Sequence, residues 1–316
     1  MTMDRLFAFL GIDTSNYTTS AALYCPGTAE LTQQKKPLPV AVGERGLRQS
    51  DALFHHTVQL PALVRELFSH SLPPHALGVS ARPRDLPGSY MPCFLAGVSA
   101  AECAAAALGV PLYHFSHQAG HLAAVLLGTE KTELRFAPFL AFHISGGTTD
   151  LLHVTPNPHT IFTVERIGGS SDLHAGQVID RIGVRMGLPF PCGAQMDLLA
   201  GESTRQFQPK LSIKGLDCSL SGLENQCIKM QESGESTVDI SRFCFESLLF
   251  AFTALAENAR AQHGALPLVF SGGVAASAFL RMALEARFQA VFAPPAYSAD
   301  NAAGIAAMTF WKEDAR

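Results

Sequence analysis

The chain has 316 residues, 47% hydrophobic and 16% charged, with a formal net charge of −4. That balance excludes a dominant basic surface for nucleic acid, while a local basic patch or a basic partner subunit stays open. The length allows two lobes with cores of their own, no stretch reads as a clear membrane span or targeting segment, and seven dispersed cysteines without a C-x-x-C pair point to a reducing cytosol.

Leu6 to Ile12 reads as a buried strand, followed by a small polar turn beginning at Thr14 and a second strand from Ser20 to Tyr24. Gln49 to Phe68 carries Leu53, Val58, Leu60, Leu63 and Leu67 at helical spacing, and Pro87-Gly88 makes a break. An alanine-rich helix from about Cys93 to Leu108 suits close packing on a sheet. His117 and His121 open the next helix, and Gly128 to Glu133 forms a polar linker. Pro138 to Ile144 is a strand, Ser145-Gly146-Gly147-Thr148 a turn, and Leu151 to Val154 another strand. Each half therefore opens strand, small-residue turn, strand, a duplication of architecture without a sequence repeat. Leu266 to Phe270 is a late strand, Ser271-Gly272-Gly273 leads into a helix, and Ser298 to Asn301 caps a final alanine-rich helix. This alternation predicts an α/β protein with lobes at 1–130 and 138–297, and 298–316 as a final helix returning toward the first lobe.

Two histidines four apart on a helix share one face, so both imidazoles reach a single ion, and borderline metals such as zinc or iron favour that pairing. Glycine turns after strands leave backbone N–H groups open to phosphate or carboxylate oxygens. Three such turns fit a nucleotide held in a cleft between two related lobes, the logic of the actin-like ATPase, sugar kinase and Hsp70 superfamily with its duplicated ribonuclease H-like fold.

Along nearly its whole length the chain resembles the TsaD family, which makes threonylcarbamoyladenosine in tRNA and was once described as M22 glycoproteases. The resemblance rests on Gly11-Ile12-Asp13-Thr14-Ser15, His117-x3-His121, Ser145-Gly146-Gly147, Gly176-x3-Asp180, Ser219-Leu220-Ser221-Gly222-Leu223, Ser271-Gly272-Gly273-Val274 and Asp300-Asn301-Ala302-Ala303. It implies that His117, His121 and Asp300 hold one divalent metal ion, iron or zinc. It further implies that Ile144, Ser145, Gly146, Gly147 and Thr148 meet the phosphate and threonylcarbamoyl group of an adenine nucleotide. Asp180 and Gly193 would meet the nucleoside, Gly272, Gly273 and Ser277 would complete that site, and Asp13, Thr14 and Ser15 would form a phosphate turn. The implied reaction passes threonylcarbamoyl from its adenylate to N6 of the adenosine beside the tRNA anticodon, in the cytoplasm, with accessory subunits of a tRNA-modification complex and no membrane.

Several positions depart from the family pattern. Thr148 replaces a histidine, Gln177 a glutamate, Arg181 a lysine and Ser277 an asparagine, Cys192 and Ala194 alter a Pro-Gly-Gly-Pro turn, and Glu224 replaces a lysine with reversal of charge. These changes keep open a divergent paralogue with a different acceptor or a non-catalytic partner role. A metalloprotease is disfavoured because His-Gln-Ala-Gly-His lacks the glutamate of H-E-x-x-H. A small-molecule kinase lacks a clear carboxylate base, and Cys192 reads as a small thiol in a turn before it reads as a nucleophile.

Overall fold

A computed structural model describes residues 7–15, 17–39, 47–69, 73–298 and 302–315. They divide into two compact units, one drawn from Met1–Phe136, Pro156–Thr163 and Ala299–Arg316, the other from Ala137–Thr155 and Val164–Ser298.

The first unit is built on β1 (Ala8–Asp13), β2 (Thr18–Cys25), β3 (Glu30–Pro37), β4 (Pro74–Arg82) and β5 (Leu112–Ser116), ordered β3-β2-β1-β4-β5. β1 is buried at every position, as a central strand with both faces covered must be. It pairs antiparallel with β2 and parallel with β4. Helices α1 (Gln49–Leu67) and α2 (Phe94–Leu108) bury Leu60, Leu63, Leu67, Ala101 and Ala105. The next helix, α3 (His117–Gly128), is buried from Gln118 to Leu126.

The second sheet contains β6 (Phe139–Ile144), β7 (Thr149–Asn157), β8 (Ile161–Ser170), β9 (Ser212–Lys214), β10 (Asp217–Ser219), β11 (Leu268–Ser271) and β12 (Val291–Phe292). Its order, β12-β11-β6-β7-β8-β10-β9, repeats the first sheet's neighbour pattern and adds β10 and β9 at one edge. Helices α4 (Ala175–Arg185), α5 (Gly193–Glu202), α6 (Ser221–Glu232), α7 (Thr237–His263), α8 (Ala278–Phe288) and the short α9 (Pro295–Ser298) complete this part of the chain. Phe142, Phe270 and Phe292 stack across adjacent strands at 4.7 and 4.6 Å between ring centroids, and Phe252 of α7 meets Phe142.

The last helix, α10 (Ala303–Asp314), packs in the first unit against α3, β1, β2 and β4. Small residues allow that approach: a Cβ on Gly304 would stand 1.8 Å from the Gly120 carbonyl oxygen, and one on Gly11 2.4 Å from the Ala306 nitrogen. The β7–β8 turn joins the same unit, where the Lys312 ammonium donates to the Pro158 carbonyl at 2.5 Å and Trp311 meets Phe162 edge-on. Among the described residues no helix is long and apolar enough to cross a membrane.

Candidate functional site

The first unit gathers its polar residues at the C-terminal ends of β1, β4 and β5. The hydroxyl of Ser116 caps α3 by accepting from the Ala119 N–H at 3.3 Å, which satisfies one of the helix's open donors. It also donates to Asp85 at 2.6 Å. This fixes the first turn of α3, so His117 and His121 rise on one face. Their Nε2 atoms stand 3.0 Å apart. On its other side, His117 Nδ1 donates to Asp13 Oδ2 at 2.8 Å, because a carboxylate only accepts. Asp13 is 1% exposed, and its Oδ1 accepts from the Ser15 N–H at 2.9 Å and the Ser80 hydroxyl at 2.6 Å.

This geometry sets the tautomer of His117: with the proton held at Nδ1, Nε2 carries the lone pair and faces a second imidazole nitrogen. A carboxylate behind a ligating histidine is the usual support for a metal-bound imidazole. A separation of 3.0 Å suits two ligands each about 2.0–2.1 Å from one ion, so the donor set fits a borderline divalent metal. Among the described residues no third histidine, cysteine or carboxylate joins them in a metal-holding group; Asp300 lies outside the described residues. Thr14 is committed elsewhere: its hydroxyl donates to the Cys93 carbonyl and accepts from the Gly97 N–H, both at 3.1 Å, tying the turn after β1 to α2. The fully buried Ser15 hydroxyl has no hydrogen-bond partner among the described residues.

The second unit contains a cavity of about 570 Å³. Its apolar wall comes from Ile179, Pro191, Leu198, Phe245 and Val274, and Gly146, Gly176, Gly193 and Gly273 bring backbone to its surface. Asp180, Asp197 and Ser277 supply the polar groups. An apolar slot with a few placed acceptors is the usual form of a small-ligand site; here it suits a flat base carrying hydroxyls.

Local sequence explains the placement. The Ser145-Gly146-Gly147 turn closes through the Ser145 N–H donating to Thr148 at 2.8 Å, and α4 starts directly against it. A Cβ on Gly176 would lie 2.7 Å from the Gly146 nitrogen. Gly272, at φ +91°, packs its backbone on Ile144, 2.3 Å from a would-be Cβ to the carbonyl oxygen. One turn along α4, the Asp180 carboxylate accepts from the Cys192 N–H at 2.8 Å. Burial raises the Asp180 pKa, opposed by that hydrogen bond.

Asp197 has no role in the sequence reading, yet it stands in the cavity wall. It accepts the Ser277 hydroxyl and the N–H groups of Ala278 and Phe279, at 2.8 and 3.3 Å, so it closes the N-terminus of α8. Its signal was present: it falls four residues after Gly193 in α5, one turn along the same face. Ser277, which also accepts from the Leu280 N–H, is engaged by these contacts. Of the sequence-predicted residues the cavity unites Gly146, Asp180, Gly193, Gly273 and Ser277. Ser145, Gly147, Thr148 and Gly272 lie in the adjoining turns, and Ile144 turns its side chain into the core.

The departures from the family pattern have local partners. Gln177 accepts from the His174 N–H at 3.2 Å, and Arg181 pairs with Glu224 at 3.2 Å. Cys192 is fully buried, with its sulfur near the carbonyls of Asp180 and Leu188. Burial and the Asp180 charge push its thiol pKa up, which argues against a nucleophile. Asp172, although burial opposes it, is held well below the usual carboxylate range by hydrogen bonds from Ser219, Ser221, Leu220 and Leu173. It anchors the start of α6.

Comparison with known proteins identifies the class and then the family. The solved structure of component A of the (R)-2-hydroxyglutaryl-CoA dehydratase of Acidaminococcus fermentans matches with a TM-score of 0.58, over 98% of this chain and 99% of that one, at 14% identity. At that identity it shows the fold alone: two related α/β units of the actin-like ATPase class. Residues 44–307 match the TsaD family, tRNA N6-adenosine threonylcarbamoyltransferase. Relatives of that name include one from Streptococcus suis, 33% identical over 97% of this chain and 92% of its own length. Another, from Methanopyrus kandleri, is 29% identical over 83% of this chain and 75% of its own length. The chain belongs to the TsaD family and is, with it, an acyltransferase.

Proposed function

We propose that this protein passes a threonylcarbamoyl group from threonylcarbamoyl-adenylate to N6 of the adenosine adjacent to the tRNA anticodon, with one zinc or iron ion at His117, His121 and Asp300. The observation that supports it most is the Asp13–His117–His121 arrangement, in which a buried carboxylate fixes one imidazole so that two Nε2 atoms face each other at 3.0 Å. In the reaction the N6 amine forms a C–N bond to the carbamoyl carbon and the C–O bond to phosphate breaks. AMP leaves with that electron pair, and one proton is released.

When bound, the ion supplies a Lewis-acid centre for the acyl donor. Asp13 holds the proton at His117 Nδ1 and keeps Nε2 a ligand. In the second unit, the apolar wall takes the adenine, Asp180 accepts from ribose hydroxyls, and the open glycine turns at Gly146 and Gly273 admit the phosphate. Asp197 holds α8, and with it Gly273 and Ser277, in place. With a net charge of −4, the isolated chain binds tRNA weakly and loses it as salt rises. Accessory subunits present the tRNA, and the protein acts in the cytoplasm.

A second reading, a paralogue with another acceptor, is favoured by the Arg181–Glu224 pair, which neutralises two positions where the family carries lysine. Incubation with threonylcarbamoyl-adenylate, unmodified tRNA and partner proteins, read as nucleosides by mass spectrometry, tests the proposal. Threonylcarbamoyladenosine from the native chain and none from His117→Ala supports it. Metal and nucleotide binding without that product would favour the second reading.

A further inference from the structure

Pro87-Gly88 breaks the pattern between β4 and α2, and the residues around it have no part in the reaction as described. The loop 83–93 carries prolines at 83, 87 and 92, each of which fixes its own φ and leaves less freedom to lose on binding. Pro87 and Gly88 are the central residues of a turn closed by the Ser89 N–H, which donates to the Leu86 carbonyl at 3.0 Å. Gly88 stands at φ +76°, which suits the third position of a type II turn. The Arg84 N–H donates to the Ser89 hydroxyl at 3.0 Å and closes the loop across its base.

The loop is docked on the start of α3, the helix that carries the histidine pair. The Gln118 N–H donates to the Pro83 carbonyl at 3.1 Å. Asp85 Oδ2 accepts from the Ser116 hydroxyl at 2.6 Å, and Asp85 Oδ1 accepts from Arg82 Nε at 2.9 Å and Nη2 at 2.5 Å. The single carboxylate of residues 82–93 is therefore spent on an arginine and on the α3 cap. With two arginines, Arg82 and Arg84, against that one aspartate, the segment is net positive. Held in this way, it leaves Leu86 and Tyr90 53% and 61% exposed. An exposed aromatic on a stiff, cationic loop has the form of a stacking platform for an unpaired base.

We infer that the loop 83–93 docks the acceptor RNA, with Tyr90 stacking on an unpaired base of the anticodon loop. The inference rests on the reading of the acceptor as an adenosine beside the anticodon. In that reaction the N6 amine attacks an acyl donor bound beside His117 and His121, so the acceptor strand has to approach the start of α3, to which this loop is hydrogen-bonded. Bases of a single-stranded loop offer open faces to an aromatic ring. Their phosphates meet a segment whose carboxylate is already compensated.

Fluorescence anisotropy of the full chain at low salt, with a labelled anticodon stem-loop RNA and with a fully paired RNA duplex of equal length, tests it. Tyr90→Ala should weaken stem-loop binding about 5- to 100-fold, the range for one stacked base. Duplex binding should stay unchanged, since a duplex offers phosphates but no open base. Tyr90→Phe keeps the ring and should bind as the native chain does, whereas Tyr90→Leu keeps only apolar area and should behave as alanine does. Zinc affinity and melting temperature should hold at native values in all three variants, because the side chain of Tyr90 is not one of the groups that dock the loop on α3. Unchanged stem-loop affinity in Tyr90→Ala, equal losses on stem-loop and duplex, or rescue by leucine would overturn the inference. So would sedimentation of the native chain as a dimer that Tyr90→Ala dissociates, which would give the loop to a second copy. A native chain that binds neither RNA, even with partner proteins present, would overturn the acceptor reading as well.

Discussion

Among the described residues the Asp13 carboxylate accepts from the Ser15 N–H, the Ser80 hydroxyl and His117 Nδ1, and the last of these sets what His117 can do. Asn at this position keeps the size but no longer fixes the proton at Nδ1. Asp13→Asn should therefore lower zinc affinity about 10–100-fold, read by competition with a chromogenic chelator, while the melting temperature moves little. Unchanged affinity would remove Asp13 from the site. Asp180 supplies a second test. Burial raises its pKa, so its acceptor charge is lost as pH falls through a value above the ordinary carboxylate range near ~3.9. AMP affinity should drop on acidification over that window, and Asp180→Asn should abolish the pH dependence. Folding stability from the same group runs the other way: it is present at low pH and declines as pH rises through the raised pKa. A pH-independent affinity in the native chain would contradict the ribose role. The histidine spacing was legible because helical periodicity reports faces, whereas Asp180 entered only through the family resemblance. Asp197 went unread although it stands one helical turn from Gly193, because the N–H groups it accepts from at the start of α8 lie 81 and 82 positions away in sequence.

At the scale of elements, contact between α3 and α10 ties the histidine-bearing helix to the end of the chain. Gly304 sits on the Gly120 carbonyl, and neither backbone can yield to a methyl group 1.8 Å away. Gly304→Ala should cost about 1–3 kcal/mol, lowering the melting temperature by about 2–4 °C per kcal/mol in a chain of this size, with zinc affinity falling too. An unchanged melting curve would mean that α10 packs otherwise. The strand–turn–strand openings were readable because β1 and β6 are apolar runs that end in small residues. The edge strand β3, sequence ELTQQKKP, shows almost no apolar alternation, since its pairing with β2 is a matter of backbone hydrogen bonds. The three-residue strands β9 and β10 are too short to carry a period.

At the scale of the whole molecule, the duplication inferred from two similar openings extends to the neighbour order β3-β2-β1-β4-β5 and its counterpart β8-β7-β6-β11-β12. Pattern alone could not show that Pro156–Thr163 leaves the second unit for the first, because the contacts that draw it there come from Trp311 and Lys312, about 150 positions away. Within this frame the chain keeps the His117–His121 pair and the two Ser-Gly-Gly turns, and the departures at Gln177, Arg181, Cys192, Glu224 and Ser277 have local partners. The chemistry proposed here therefore turns on the acceptor. The most direct measurement is threonylcarbamoyl transfer to two tRNAs that differ only at the base beside the anticodon, adenosine in one and guanosine in the other, with the product nucleoside read by mass spectrometry. Threonylcarbamoyladenosine from the first tRNA and none from the second is the predicted result. Absence of product from both, by a chain that binds metal and AMP, would contradict it.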